Sequence, residues 1–141
     1  MLREQFGLTR HEANPLLSPK DFPDAEAVFN CGQTLHRGKT ILLVAIMLRT
    51  HPRARMHVAE SEDGIHFTIR PEPFIIQSSH PVIGPLDGHP IDPRITYMAD
   101  EDTYYIMRPG NSDAGCVAFL GKTKDWQTYE DIEVIALPNN R

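Results

Sequence analysis

The sequence predicts an all-β fold made of repeated four-stranded antiparallel units, and three observations point to it. Short apolar stretches rich in Val, Ile, Tyr, Phe and Thr recur between clusters of turn residues. Twelve prolines and nine glycines in 141 residues break the chain too often for long helices. A seven-residue pattern also occurs twice. Ser61-Glu62-Asp63-Gly64-Ile65-His66-Phe67 matches Thr123-Lys124-Asp125-Trp126-Gln127-Thr128-Tyr129 at an offset of 62, with a hydroxyl residue first, Asp third and an aromatic last. At the same offset Asn30 falls on Asp92 and Thr34 on Thr96. A repeat of this length that holds four strands has the proportions of a β-propeller blade. Two unrelated β-meanders could share turn residues as well, and the structure has to separate these readings.

Taken in order, residues 1–25 are a polar, proline-containing lead-in, with Asn14-Pro15-Leu16-Leu17-Ser18-Pro19 extended. Residues 26–141 are then a partial propeller, with blade one at about 26–70, a crossing segment at 71–90 and blade two at about 91–137. Ala27 to Leu35 and Thr40 to Leu48 are strands around the turn His36-Arg37-Gly38-Lys39. The second is so continuously apolar that periodicity alone also permits a short buried helix. Arg55 to Ser61 and His66 to Arg70 complete the first unit around Glu62-Asp63-Gly64. The second unit repeats the plan with strands at Ile91 to Met98, Thr103 to Arg108, Cys116 to Lys122 and Thr128 to Ile135, and a loop at Pro109 to Gly115. Propellers close with about four to eight blades. Two blades leave edges and faces open, so the expectation is a missing C-terminal portion or a homo-oligomer that completes the ring.

Composition narrows the function. Nineteen acidic against fourteen basic residues give a formal charge of −5. That argues against a nucleic-acid partner, which calls for a basic face. The longest apolar run, Ile41 to Leu48, is too short to span a bilayer, and Met1 to Asp24 carries no signal-like apolar stretch. Cys31 and Cys116 have no metal or redox spacing, so a reducing cytoplasmic setting and no metal or other cofactor are expected. The seven histidines form no i, i+4 pair and no His/Cys cluster.

The stretch that concentrates chemistry is His89-Pro90-Ile91-Asp92-Pro93-Arg94-Ile95-Thr96. The prolines bias Ile91 and Asp92 toward extended backbone, so a carboxylate would sit at a stiff strand entrance beside a guanidinium. The plainer reading is a strand start with a surface Asp–Arg pair. Arg49, Arg53 and Arg55 make a local basic patch, most simply a solvated hairpin. Trp126 and Tyr129 read as packing residues between blades. Tyr104 and Tyr105 alternate across a strand, so only one of them can face a pocket.

Asn14-Pro15-Leu16-Leu17-Ser18-Pro19, Phe29-Asn30-Cys31-Gly32, Val58 to Phe67, Asp92-Pro93-Arg94-Ile95-Thr96, Thr103-Tyr104-Tyr105-Ile106 and Lys122 to Trp126 follow one another in that order. The series resembles the N-terminal part of glycoside hydrolase family 130, the β-mannoside phosphorylases and related mannosidases. The resemblance implies a five-bladed propeller about twice this length, of which about two blades are present. It implies inverting transfer of a mannosyl group from a β-mannoside or related oligosaccharide to inorganic phosphate, without a metal. Asp92 would be the general acid, acting through a sugar hydroxyl, and Asn30, Arg94 and Arg49 would contact substrate. A single essential carboxylate suits a phosphorylase, because phosphate is already an anionic nucleophile, whereas an inverting hydrolase needs a second carboxylate to activate water.

The chain departs from the family pattern at two places. Ala45-Ile46-Met47-Leu48 is apolar where the family has an Arg-Val-Glu-like stretch, leaving Arg49 nearby. Ala114-Gly115-Cys116-Val117 stands where phosphate-handling members often carry an arginine. Phosphorylase and hydrolase both stay open. The alternative is a catalytically silent sugar-binding or assembly fragment.

Overall fold

The computed structural model describes residue 7 and residues 9–113 and 115–139. Most of the lead-in falls within them. Its first six residues and Leu8, Ala114 of the second departure, and the last two residues of the 26–141 span lie outside. The described chain is all-β, in two four-stranded antiparallel sheets. Sheet one runs β1 (Ala25–His36), β2 (Lys39–Leu48), β3 (Arg55–Ser61) and β4 (Thr68–Ile69), and sheet two runs β5 (Arg94–Met98), β6 (Thr103–Ser112), β7 (Gly115–Thr123) and β8 (Glu130–Asn139). Each strand pairs with its sequence neighbour, the meander of a propeller blade, and the whole has the architecture of part of a β-propeller.

Residues 39–48 are a strand, not a helix. β2 pairs on both sides and four of its residues, Ile41, Leu43, Ala45 and Ile46, have no solvent exposure, which explains the continuous apolar run. The β1–β2 turn places Arg37 at φ 49° and Gly38 at φ 83°, the all-positive geometry of a two-residue hairpin. Three expectations need correcting. The fourth strand is only two residues long. The predicted loop at 109–115 is mostly strand, because β6 continues through Pro109 to Ser112 and pairs with β7 up to Gly115. Pro109 is tolerated there because β5 pairs with β6 only as far as Met107, so one edge of β6 is unpaired at Pro109. The strand expected from Ile91 begins at Arg94, since Asp92 has φ 49° and breaks the extended run.

The 62-residue repeat is physical. In sheet one Ser61 Oγ donates to Asp63 Oδ1 at 3.0 Å, Gly64 N donates to Ser61 Oγ, and Ile65 N and His66 N donate to Asp63 Oδ1. In sheet two Thr123 Oγ1 donates to Asp125 Oδ1 at 3.4 Å, Trp126 N donates to Thr123 Oγ1, and Gln127 N and Thr128 N donate to Asp125 Oδ1. The third turn residue has positive φ in both, 74° at Gly64 and 59° at Trp126. Asn30 and Asp92 likewise share positive φ, at 39° and 49°. Coincident meanders would not reproduce these bonds and dihedrals at one offset.

Stacking of the two sheets makes the main core. Ile41, Leu43, Met56 and Val58 of sheet one meet Tyr104, Ile106 and Trp126 of sheet two, with Ile75 and Phe74 from the crossing segment. A second cluster holds Val44, Ile46 and Ala59 on the far side of sheet one, under Leu17 and Phe22 of the lead-in. Gly32 of β1 sits at a close approach of the two sheets: a Cβ there would lie 2.8 Å from the Pro93 carbonyl oxygen and 3.0 Å from Ile95 Cδ1. A larger residue at 32 would push the first strands of the two sheets apart.

Candidate active site

Asp92 is presented by the short connection between the crossing segment and β5. Pro90 and Pro93 on either side are buried, which fixes the backbone. The left-handed conformation of Asp92 corrects the expected extended geometry. Asp and Asn enter that region more readily than other residues with a Cβ. Asn30 occupies the same repeat position in the same conformation, so this is first a backbone solution common to both blades. In β1 the pairing skips Asn30 between Phe29 and Cys31, leaving it in a bulge.

The Asp92 side chain is half-buried and borders a concavity of about 470 Å³ with Arg94, Met107, the buried Arg108, Cys116 and Ala136. Its carboxylate makes no hydrogen bond or ion pair with any described residue. The anticipated Asp92–Arg94 pair is not formed: Arg94 is exposed and its Nη1 donates to the Pro93 carbonyl at 3.3 Å. An acid with unoccupied acceptors beside two guanidinium-bearing residues is arranged to meet a polar ligand.

Arg108 is the residue that sequence reasoning missed. It donates to Asp87 through two bonds of 2.7 and 2.9 Å, with both side chains fully buried, and reaches Asp131 of β8 at 3.4 Å. Its guanidinium carbon also lies 4.7 Å from the Phe119 ring centroid. Burial opposes the charge, but the hydrogen bonds and charge of Asp87 outweigh it and hold the guanidinium protonated more firmly than a free arginine. Asp87 in turn accepts from Ser78 N at 2.8 Å. The pair therefore clamps the crossing segment onto β6 just before Asp92. A signal was available in the sequence: Arg108 continues the every-second-residue series of Tyr104 and Ile106, the buried side of its strand.

The other anticipated residues are dispersed. Asn30 is exposed and borders a separate concavity of about 410 Å³ between the lead-in and sheet one. Arg49 is exposed in a third groove beside Glu26, Phe29 and His51. Arg53 is less free than a solvated hairpin residue, as its Nη1 reaches the Asp87 carbonyl at 3.4 Å. His89 Nδ1 accepts from Ala54 N at 3.3 Å, so it ties two loops together. Trp126 has no exposure and Tyr104 is buried with its hydroxyl donating to the Leu35 carbonyl at 2.9 Å, so both serve the core. No helix is long and apolar enough to cross a membrane among the described residues.

Two stacked four-stranded antiparallel blades define a class, the β-propeller, and solved structures narrow it. The chain superposes on a β-1,2-mannobiose phosphorylase from Listeria innocua in complex with β-1,2-mannobiose, at TM-score 0.75 and 20% identity, covering 94% of this chain and 52% of that one. It superposes equally on a structure from the glycoside hydrolase family 130 of mannoside phosphorylases, a family containing hydrolases that target β-1,2 mannosidic linkages in Candida mannan, at TM-score 0.76 and 21% identity, over 89% of this chain and 40% of that one. A family 32 β-fructofuranosidase from Bombyx mori aligns less well, at TM-score 0.64 and 20% identity, over 84% of this chain and 25% of that one. The fold is thus that of part of the family 130 propeller, and the chain spans about half or less of the structures it matches. No protein-family model matches the sequence, and no curated protein matches it.

Proposed function

We propose that this chain carries the acid-bearing blades of a carbohydrate-active enzyme that cleaves a terminal β-mannoside with phosphate, with Asp92 as general acid. The observation that carries the reading is the unpaired Asp92 carboxylate bordering a concavity on a fold shared with family 130 structures. In the proposed reaction a phosphate oxygen attacks the anomeric carbon from the face opposite the leaving group. The C–O glycosidic bond breaks, and the proton of Asp92 passes through a sugar hydroxyl to the departing oxygen. The product is α-mannose 1-phosphate, and the same steps run backward for synthesis. Arg94 offers a cation to the anionic nucleophile or to the sugar, and Asn30 and Arg49 would bind sugar hydroxyls where further blades shape the pocket.

The test is turnover of β-1,2-mannobiose with and without phosphate, comparing the protein with Asp92→Asn. Loss of about 10²–10⁴-fold, with circular dichroism unchanged, is expected for removal of a general acid. Retained turnover sinks the assignment. A second reading, sugar binding without turnover, is favoured by one observation. Ala45 and Ile46 are wholly buried in β2, so that stretch offers a ligand no polar side chain, and Arg49 lies in a groove apart from Asp92. Saturable calorimetric binding of mannobiose with no phosphate-dependent turnover would support that reading instead.

A further inference from the structure

His57 of β3 carries an imidazole that the candidate site does not use. The residue is only 2% exposed. Its Nδ1 lies 3.0 Å from the Arg70 carbonyl oxygen, and a carbonyl can only accept, so Nδ1 carries the hydrogen. Nε2 is left with a lone pair. That atom is sealed from solvent and has no hydrogen-bond partner among the described residues. Val44 of β2 is the cross-strand neighbour, and the Phe22 ring of the lead-in packs on the imidazole at 63° with centroids 4.6 Å apart. Further blades packed on this side would deepen that burial and not relieve it.

A neutral imidazole suits this place and an imidazolium does not. A second proton would sit on Nε2, where no acceptor stands in hydrogen-bonding geometry. Arg55, on the same strand, repels the charged form, and Glu72 of the crossing segment attracts it through its carboxylate and its carbonyl. No charged group of the lead-in or of β2 acts on the ring. Burial is the largest influence, and the imidazole is held below its ordinary value of 6.5. The lead-in above it is lightly fastened. Leu17 and Phe22 rest on sheet one, and the Ser18–Asp21 turn closes on itself. Only its end is bonded to the sheet, where Asp24 accepts from Thr50 Oγ1 at 2.6 Å and from Arg49 N at 3.1 Å. The segment before Asp24 can therefore lift without disturbing β1. That segment matters to the site, because Asn14, Leu16 and Leu17 wall one side of the Asn30 concavity.

We propose that His57 is a proton-operated latch for the lead-in: in mild acid the imidazole takes up a proton and seeks water, Phe22 leaves it, and residues 9–22 lift from sheet one and open the Asn30 concavity. The latch rests on this packing alone and stands or falls independently of any catalytic role for Asp92. An imidazole depressed in the docked form stabilises docking above its ordinary value, and that contribution is lost as pH falls through 6.5 toward the lower docked value. Between about pH 7.5 and about pH 5.5 the released form therefore gains about 10-fold, and both conditions lie above the ordinary carboxylate range.

The experiment is hydrogen exchange of the purified chain at these two pH values, corrected for the chemical exchange rate and read by mass spectrometry. Exchange in the lead-in is expected to rise about 10-fold at the lower pH, while β2 keeps its protection. His57→Gln, which retains a donor for the Arg70 carbonyl, and His57→Phe, which retains a ring against Phe22, should each abolish the pH dependence. His11, the lead-in's own imidazole, accepts from Ala13 N at 3.1 Å and is the control: His11→Gln should leave the release intact. In the unmodified chain the His57 ring proton resonances should titrate below 6.5, together with the loss of lead-in protection. Lead-in exchange that ignores pH overturns the proposal. So does a pH response that survives both His57 variants or vanishes in His11→Gln, loss of β2 protection to the same extent, or a His57 ring that titrates at or above 6.5.

Discussion

Sheet one buries both of its faces, while sheet two buries only one. The two are built on the same turn, the same left-handed residue in or just before the first strand and the same meander, so the difference lies in the side chains set into a common backbone. Leu42, Val44 and Ile46 of sheet one correspond to Tyr104, Ile106 and Arg108 of sheet two. The first set is covered by Leu17 and Phe22 of the lead-in and is entirely apolar. The second faces sheet one and has acquired a phenol bonded to a carbonyl and a buried ion pair. A repeat fixes where the chain bends. What each blade packs against decides which residues fill the equivalent sites.

The strongest way to break this comparison is at Arg108. Truncation to Ala leaves the Asp87 carboxylate buried without its partner and should cost about 3–5 kcal/mol. The equivalent sheet-one change, Ile46→Val, removes one methylene and should cost about 0.5–1.5 kcal/mol. Urea denaturation midpoints compare the two. The double variant Arg108→Met with Asp87→Leu, which removes both charges, should recover most of the loss; a double as damaged as the single would show that the pair does more than neutralise itself.

Trp126 and Gly64 are the next contrast. Both hold positive φ in the same turn, but Trp126 sends an unexposed indole between the sheets, with its ring centroid 5.2 Å from that of Tyr104 and 5.7 Å from that of Phe74. Trp126→Gly makes the second turn like the first. It relieves the left-handed strain but empties the core site, for a net loss of about 3 kcal/mol. Gly64→Ala adds strain only, about 1–2 kcal/mol. Thermal melting separates them, and a smaller loss at Trp126 than at Gly64 would remove the indole from its place as the key between the blades.

How much of this could be read from the chain follows from the range of each interaction. The hydroxyl-x-Asp turn is closed by bonds within a few residues, so it announced itself at both 61 and 123. The hairpin at Arg37-Gly38 did so for the same reason. The Arg108–Asp87 clamp joins residues 21 apart across a proline-rich crossing, and no local pattern specifies it. Asp92 stood out as a candidate, but its backbone was misjudged. Proline bias predicts the average residue before Pro93, and here packing of two buried prolines overrides it. The scatter of Asn30, Asp92 and Arg49 over three concavities was not legible either, because it depends on how the two sheets stack.

Gly32 and Arg94 sharpen the comparison further: they are equivalent in the repeat, but Gly32 lies in the contact between the sheets and Arg94 is exposed. Gly32→Ala brings a Cβ against the Pro93 carbonyl and Ile95, and should cost about 1–3 kcal/mol by forcing the first strands apart. Arg94→Ala, at an exposed site, should change the stability of the folded chain by no more than about 0.5 kcal/mol. If both changes prove neutral in urea melts, the close approach of β1 and β5 does not hold the sheets in register.

The smallest expected effect is in the turns themselves, and acid distinguishes them. Hydrogen bonds from the His66 ring, and then from the His66 and Ile65 backbone N–H groups, hold the Asp63 carboxyl well below the usual carboxylate range. Asp125 is also lowered, chiefly by the backbone N–H groups of Thr128 and Gln127, with no ring beside it. A carboxyl whose folded-state pKa is depressed stabilises the fold above its unfolded value, here 3.8, and that contribution is lost as pH falls through the lower folded value. Asp63→Ala and Asp125→Ala should therefore both lower the urea midpoint at neutral pH, and both gaps to the unmodified chain should close on acidification. The gap for Asp63 should close at lower pH than that for Asp125. His66→Ala should bring the two curves closer by removing the ring donor, whose place in the second turn is taken by the Thr128 hydroxyl, donating to Asp125 Oδ1 at 3.2 Å. Curves that already coincide before that change would mean the exposed imidazole adds nothing, and that the backbone and hydroxyl donors set the acid response of both blades.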